Sequence, residues 1–206
     1  MLPSLLLQFS KILKLPQLLN IIDAWDHQTT SRFSLHSLPA HIFQPAKIIH
    51  QWIKILQNFF FCFTILPWHH SLPRAFYTEP RLFLTDWASI SDKHLKLQNL
   101  VASHLLKAIL FWNQFQHGQF SLFYLQDRHK RFVDFLITNN SKPWLLIYVD
   151  THNSNLLNPD LNYFHSKLNT TYAVQLASHL PYVDRDFRTL QTPKIFPITT
   201  FLSQLI

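Results

Sequence analysis

Thirteen histidines are the side chains of this sequence that most readily suggest metal chemistry. The adjacent His69 and His70, and His36 and His41 at a spacing of five, are the groupings that could contribute two ligands to one ion. Zinc sites combine histidine with cysteine or carboxylate ligands at short spacings. The chain has only one cysteine and one glutamate, and neither completes such a set with these histidines. We therefore predict no metal site.

A single glycine, Gly118, excludes several kinds of catalytic loop. A P-loop needs two glycines followed by Lys and Ser or Thr, and a dinucleotide-binding loop needs three glycines. A Gly-x-Ser-x-Gly nucleophile elbow is excluded in the same way. The only glutamate, Glu79, stands outside any His-Glu-x-x-His zinc motif, and the lone Cys62 excludes a disulfide scaffold. This chain is therefore expected to be neither a nucleotide-driven motor nor a standard metalloprotease.

The balance of charge permits an anionic partner, although the basic residues are scattered and much of the excess comes from the small number of acidic residues. Eighteen Lys and Arg residues against 11 Asp and Glu residues give a formal net charge of +7, which permits nucleic-acid binding through phosphate contacts. Two groups of side chains are candidates for such contacts. One lies on a predicted helix and the other in a predicted turn, and they comprise Lys47, His50, Gln51 and Lys54, and Arg128, Lys130 and Arg131. Both groups are equally consistent with a solvated surface.

The elements that would position the first group form a helical region over residues 1–68. Apolar residues at helical spacing predict helices over 4–15 and 35–42, and another begins after Pro45. A strand over 59–65 follows, so the pattern is that of a winged helix, although helical packing alone would produce it too. The apolar run 59–68 is too short to cross a bilayer, which takes about 20 residues. No signal peptide is evident, and we expect a cytoplasmic protein without a membrane segment.

A connector over 69–80 leads to a second predicted region over 81–206. Its patterns predict strands at 81–85, 120–125, 132–138, 144–149 and 172–176, and helices at 92–115, 159–168 and 199–205. Asp92 is a plausible cap of the long helix. The order of helix, three strands, helix and strand predicts an α/β (α+β) fold with a mixed sheet flanked by helices.

Several segments from about Ser34 to the C-terminus resemble one family. They are WIKIL at 52–56, EPRLFLTDW at 79–87, NLVASHLLKA at 99–108, YLQD at 124–127, KRFVDFL at 130–136, KPW at 142–144 and TFLSQL at 200–205. The family is a C-terminal domain of unknown function that follows the AAA+ module in a group of bacterial and archaeal ATPases. The resemblance implies a winged-helix-like segment followed by a domain similar to PD-(D/E)xK nucleases. It also implies that ATP and Mg²⁺ belong to the ATPase module, which has no P-loop counterpart in this chain.

The resemblance also implies that the nuclease motif is degenerate. In that fold carboxylates on adjacent strands hold a divalent metal and a lysine orients the attacking water. The family's helix glutamate corresponds to Gln98, and its strand Glu and Lys correspond to Tyr148 and Asp150, while Asp134 is retained. Residues 148 and 150 share one strand face. We expect no catalysis and no cofactor, although Asp134 and Asp150 leave open a single shared metal.

Asp134 is expected to be a hairpin residue that pairs with Arg131 or Lys130. The function that the resemblance implies is that of a non-catalytic accessory portion of an AAA+ ATPase, with a separate ATPase module or another protein as its partner. Two alternatives stay open. One is a nucleic-acid-binding module, and the other is a decayed remnant without selected activity. The remnant is favoured by the lost motif and by a composition in which Gly, Glu, Met and Cys occur once each.

Overall fold

A computed structural model describes residues 46–68, 80–152, 154–189 and 191–205. The helices predicted over 4–15 and 35–42, and residues 69–79 of the connector predicted over 69–80, lie outside the described residues. Four α-helices occur in the described part: α1 (Ala46–Asn58), α2 (Lys93–Gln114), α3 (Pro159–Leu168) and α4 (Ile198–Ser203). Seven strands accompany them: β1 (Cys62–Pro67), β2 (Arg81–Leu84), β3 (Phe120–Gln126), β4 (Phe132–Asn139), β5 (Lys142–Asp150), β6 (Tyr172–Ala177) and β7 (Lys194–Pro197).

The seven strands form one mixed sheet in the order β2-β1-β3-β4-β5-β6-β7. Neighbouring strands are antiparallel in the β2–β1, β3–β4 and β4–β5 pairs, and parallel in the β1–β3, β5–β6 and β6–β7 pairs. The predicted mixed α/β fold is therefore confirmed. Strand β1 lies in the predicted 1–68 region and pairs with β3 of the 81–206 region, so the sheet runs through both.

Helices cover both faces of the sheet because its central strands are apolar on both sides. Along β4, Phe135 and Ile137 pack in the cluster that contains α2, whereas Leu136 packs in the cluster that contains α3. Alternate strand residues point to opposite faces, so α2 and α3 lie on opposite sides of the sheet. Helix α4 packs on the α2 side through Phe201.

The ends of the helices follow from local hydrogen bonding. Asp92 caps α2, and its carboxylate accepts hydrogen bonds from the His94 and Leu95 amides. Asn158 caps α3 in the same way, with Pro159 at the first helical position. Both helices are confirmed, α2 to within one residue at each end. None of the described helices is long and apolar enough to cross a membrane.

Helix α1 places its apolar stripe against the β1–β2 edge of the sheet. Ile49, Trp52, Ile53 and Leu56 are buried there together with Leu82 and Leu84 of β2. Strand β1 begins three residues later than the predicted start at 59, because Phe59 and Phe60 donate to the last turn of α1 and Phe60 has a positive φ of 55°. The sequence prediction omitted β7 and set the last helix at 199–205 instead of Ile198–Ser203.

Candidate functional site

The candidate site centres on Asp134, which a β-bulge sets at the end of the β4–β5 ladder. Leu125 pairs with Val133 and Phe123 pairs with Leu136, so two residues of β4 oppose one residue of β3. Such a bulge bends the strand and redirects a side chain. Pairing between β4 and β5 ends at Phe135 and Ile147. The β-bulge and the end of pairing between β4 and β5 therefore determine where the carboxylate of Asp134 points.

Three separate elements donate hydrogen bonds to the Asp134 carboxylate. Its Oδ1 accepts from Arg81 Nη1 of β2 at 3.3 Å and from Gln98 Nε2 of α2 at 3.2 Å. Its Oδ2 accepts from the backbone amide of Val149 on β5 at 2.9 Å. The carboxylate is 1% exposed. Both of its oxygens thus have donors inside the protein, as a buried charge requires.

Arg81 is the positive partner of this carboxylate and is itself only 2% exposed. Its Nη2 donates to Gln98 Oε1 at 3.5 Å, and its guanidinium carbon lies 5.2 Å and 4.9 Å from the ring centroids of Phe83 and Phe132. Burial lowers the pKa of the Arg81 guanidinium and raises the pKa of the Asp134 carboxyl, while the attraction between them opposes both changes. Aromatic faces and a carboxylate together hold the buried cation.

The predicted partners of Asp134 were wrong. Arg131 instead pairs with Asp127 four residues earlier, at 2.6 Å, and its guanidinium carbon stands 3.5 Å from the ring centroid of Tyr163. Lys130 is exposed in the β3–β4 turn. Both lie in or beside the turn, whereas the Asp134 carboxylate points into the protein. Arg81 is 53 residues away along the chain.

Asp150, which stands at the position of the family's lysine, organises the loop after β5. It accepts hydrogen bonds from the amides of His152 at 2.9 Å and Ser154 at 2.6 Å, and from Gln175 Nε2 of β6 at 3.4 Å. Gln175 also accepts from the Asn158 amide through Oε1, at 2.7 Å. Asp150 is therefore engaged in closing the loop that leads into α3.

Tyr148 is half-buried on β5. Burial, followed by the charge of Asp134, raises the pKa of its hydroxyl. It is two residues from Asp150 on one strand, and it packs in the α3-side cluster with Leu146. Within the described residues, Asp134 and Asp150 have no hydrogen-bond partner in common.

The arrangement does not fit the divalent metal that a nuclease-like site would hold. Such metals are bound by several oxygen ligands, of which carboxylates carry the charge. Here all three groups that contact the carboxylate oxygens of Asp134 are hydrogen-bond donors: the Arg81 guanidinium, the Gln98 side-chain nitrogen and the Val149 backbone amide. Over the described residues, no group of three or more His, Cys, Asp or Glu side chains is placed to hold a metal ion.

The candidate nucleic-acid residues occupy two surfaces. Four of them, Lys47, His50, Gln51 and Lys54, are exposed on α1, opposite its buried apolar stripe. Arg128 and Lys130 are exposed in the β3–β4 turn, whereas Arg131 is partly buried by its contacts with Asp127 and Tyr163. The α1 side chains thus keep their polar groups at the surface.

Sequence reasoning missed Arg81 and Gln175, which hold the two carboxylates. Arg81 has a signal in the sequence, because it is a single charge at the start of the apolar run Leu82–Phe83–Leu84. Gln175 likewise interrupts the apolar strand Tyr172–Ala177. Burial raises the pKa of the Cys62 thiol to about 12, which disfavours the reactive thiolate form.

Comparisons with protein-family models, with curated proteins and with solved structures find no match to this chain. The class that the fold defines is thus a mixed α/β protein with a seven-stranded sheet.

Proposed function

We propose that this chain is a non-catalytic, nuclease-like accessory domain of the kind that accompanies AAA+ ATPases, and that its role is to bind a protein partner. The order of elements supports this proposal. Helix α2, strands β3, β4 and β5, helix α3 and strand β6 follow one another, and β5 and β6 are parallel. This is the succession that the sequence patterns predict, and it is compatible with the nuclease-like fold that the resemblance implies. Helix α1 followed by the antiparallel β1 and β2 supports the winged-helix-like part of the proposal.

The contact between Arg81 and Asp134 is the observation that carries the proposal. A catalytic metal beside this carboxylate would lower the pKa of a bound water and stabilise charge on a phosphate. A guanidinium carries one positive charge instead of the two of such a metal, and it has no coordination position for water. Because Arg81 and Asp134 are both buried, the negative charge of Asp134 is neutralised by Arg81 inside the protein. The retained aspartate is accordingly a structural residue.

The second motif strand supports the same conclusion. A nuclease-like strand would present a glutamate to the metal and a lysine to the attacking water. Tyr148 provides no carboxylate, and Asp150 provides an acceptor where a donor is required. The loop amides of His152 and Ser154 take up that acceptor. No group on this strand replaces the missing lysine.

Cleavage of DNA tests the loss of catalysis. Supercoiled plasmid would be incubated with the chain and with Asp134→Asn in the presence of Mg²⁺ or Mn²⁺. We expect equal, background-level nicking by both proteins, because Asp134 has no metal to hold. Nicking by the unmodified chain that disappears in Asp134→Asn would contradict the proposal.

The proposed partner is tested at the level of the gene and then of the protein. We would sequence about 250 codons upstream of Met1, a span typical of one or two domains. A P-loop reading frame would supply a candidate ATPase, and light scattering after gel filtration would show whether its product forms a complex with this chain. A purified ATPase product that does not associate would contradict the partner role.

Nucleic-acid binding is the second candidate, and the exposed face of α1 favours it. Two lysines, His50 and Gln51 lie on this face, and α1 contains no acidic residue. If Lys47 and Lys54 contact phosphates, affinity for duplex DNA falls steeply with salt, and each lost contact reduces the slope by about 0.9. A gel shift titrated with salt would compare the chain with Lys47→Gln/Lys54→Gln. The absence of a shift at low salt, or an unchanged slope, would exclude this use of α1.

A remnant without selected activity is the remaining alternative, and thermal unfolding separates it from the other two. Chains that lose selection lose unique packing first. We expect a cooperative transition, because the clusters beneath α2 and α3 are closely packed and almost fully buried. A broad, non-cooperative loss of structure would favour the remnant instead.

A further inference from the structure

An open cavity lies where the C-terminal end of α2 meets β3, β5 and the end of the chain. Its volume is about 360 Å³, within the range of small-molecule sites. Five aromatic side chains dominate its lining, accompanied by three polar residues and a leucine: Phe111, Trp112, Phe120, Trp144 and Phe187, with His117, Arg188, Gln204 and Leu205. The cavity contains no residue of the nuclease-like motif.

The aromatic wall is pre-formed by contacts among its own members. The ring centroids of Trp112 and Phe120 are 5.0 Å apart, and Trp144 packs edge-on against both at 6.0 Å and 5.4 Å. The indole nitrogen of Trp112 donates to the Leu205 carbonyl at 3.0 Å. These contacts order the rings without a ligand, so binding would cost little side-chain entropy.

The polar groups at the cavity divide into engaged and available ones. Gln204 is engaged, since its Nε2 donates to the Arg185 carbonyl at 2.6 Å and its Oε1 accepts from the Phe187 amide at 3.1 Å. Arg188 binds Asp186 through Nε and Nη2, at 3.0 Å and 2.8 Å. Within the described part of the chain, Arg188 Nη1 and the Trp144 indole nitrogen donate no hydrogen bond. His117 also makes no side-chain hydrogen bond there, and its imidazole can donate or accept. Arg188 and Trp144 therefore offer donors only, and His117 offers either a donor or an acceptor.

This pairing of rings with unused donors selects one class of ligand. No acidic residue lines the cavity, and Arg188 presents the positive end of its ion pair to it. We propose that the cavity binds a small carboxylate with an aromatic body, whose ring lies against Trp112, Phe120 and Trp144 and whose carboxylate accepts from Arg188. Because Asp186 already balances the arginine, the ligand gains hydrogen bonds more than net charge, and we expect submillimolar to millimolar affinity.

Three ligands of one shape and different charge test the proposal by isothermal titration calorimetry. They are 4-phenylbutyrate, the neutral 4-phenyl-1-butanol and the cationic 4-phenylbutylamine. We expect the carboxylate to bind about tenfold more tightly than the amine, which is the effect of one charge-assisted hydrogen bond. Trp112 and Trp144 line the cavity, so tryptophan fluorescence should change with the same midpoint.

Two arginine variants complete the experiment. Arg188→Gln should bring the affinity for 4-phenylbutyrate down to that for the alcohol. Arg185→Gln removes the same charge from an exposed side chain three residues earlier that does not line the cavity, and it should bind like the unmodified protein. Absence of saturable binding by all three ligands, equal affinities for acid and amine, or equal losses in both variants would each overturn the proposal. It stands apart from the proposed function, because neither plasmid nicking nor ATPase association involves this cavity.

Discussion

The Asp134 site and the aromatic cavity both combine charged groups with aromatic rings, but they use their polar atoms differently. Around Asp134, the ion pair is 2% and 1% exposed and both carboxylate oxygens have internal donors. At the cavity, Arg188 is 54% exposed, and its Nη1 donates no hydrogen bond within the described residues. A buried charge must be matched within the protein, whereas a group near solvent keeps hydrogen bonds for a ligand. The comparison separates a site that serves the fold from one that is free to bind.

The largest expected effect comes from breaking the buried ion pair. Arg81→Met leaves the Asp134 carboxylate buried without its cation, and we expect a loss of about 3–5 kcal/mol in the free energy of unfolding. Urea denaturation measures this loss. A loss of this size would show that the Asp134 site stabilises the fold.

The double variant Arg81→Met/Asp134→Asn is the control for this prediction. It removes both charges and leaves side chains of similar size, so it should be more stable than the sum of the two single changes implies. Additive losses would mean that the two residues do not act as a pair.

A smaller effect is expected at Asp150. Asp150→Ala removes the acceptor of the His152 and Ser154 amides. Because both hydrogen bonds are only partly buried, we expect a loss of about 0.5–1.5 kcal/mol in the free energy of unfolding. Hydrogen exchange at these two amides should accelerate more than exchange in β4. In Asp150→Asn one side-chain oxygen remains, so part of the protection should return. Unchanged exchange in Asp150→Ala would argue against this loop-closing role.

The smallest effect concerns Asp186 at the rim of the cavity. The hydrogen bond from Arg188 lowers its pKa below the usual 3.8. The lowered value means that the pair stabilises the fold above about pH 4, and that this stability is lost as the pH falls through the folded-state pKa. Both groups are partly exposed, so the contribution is small.

A titration of the Asp186 carboxyl carbon by NMR would measure this pKa. In Arg188→Gln it should rise toward 3.8. A pKa that stays depressed in this variant would show that Arg188 is not the cause.

Local patterns predicted the elements well where chemistry and spacing agreed. The cap at Asp92 and the helix predicted over 159–168 both lie where the sequence indicates. Strand β7 was missed because it has only 4 residues, follows Pro193 and ends at Pro197. Proline argues against a strand except at a sheet edge, which is where β7 lies.

The contacts that define the two sites were beyond sequence reasoning because they join distant parts of the chain. Arg81 and Asp134 are 53 residues apart, and Trp112 reaches the Leu205 carbonyl across 93 residues. Local spacing predicted Arg131 for Asp134, but Arg131 is satisfied by Asp127 four residues away. Arg81 lies on β2, which β1 and β3 separate from β4 in the sheet, and Gln98 lies on α2. Their contacts with Asp134 depend on tertiary packing, which local periodicity does not encode.

A calorimetric titration with Mn²⁺ tests the central claim most directly. The claim is that Arg81 takes the place of a divalent metal ion at Asp134. The unmodified chain and Asp134→Asn would be titrated side by side, after circular dichroism has shown that both are folded. We predict that neither protein gives saturable binding that depends on Asp134. Micromolar binding of Mn²⁺ by the unmodified chain that is lost in Asp134→Asn would contradict the claim.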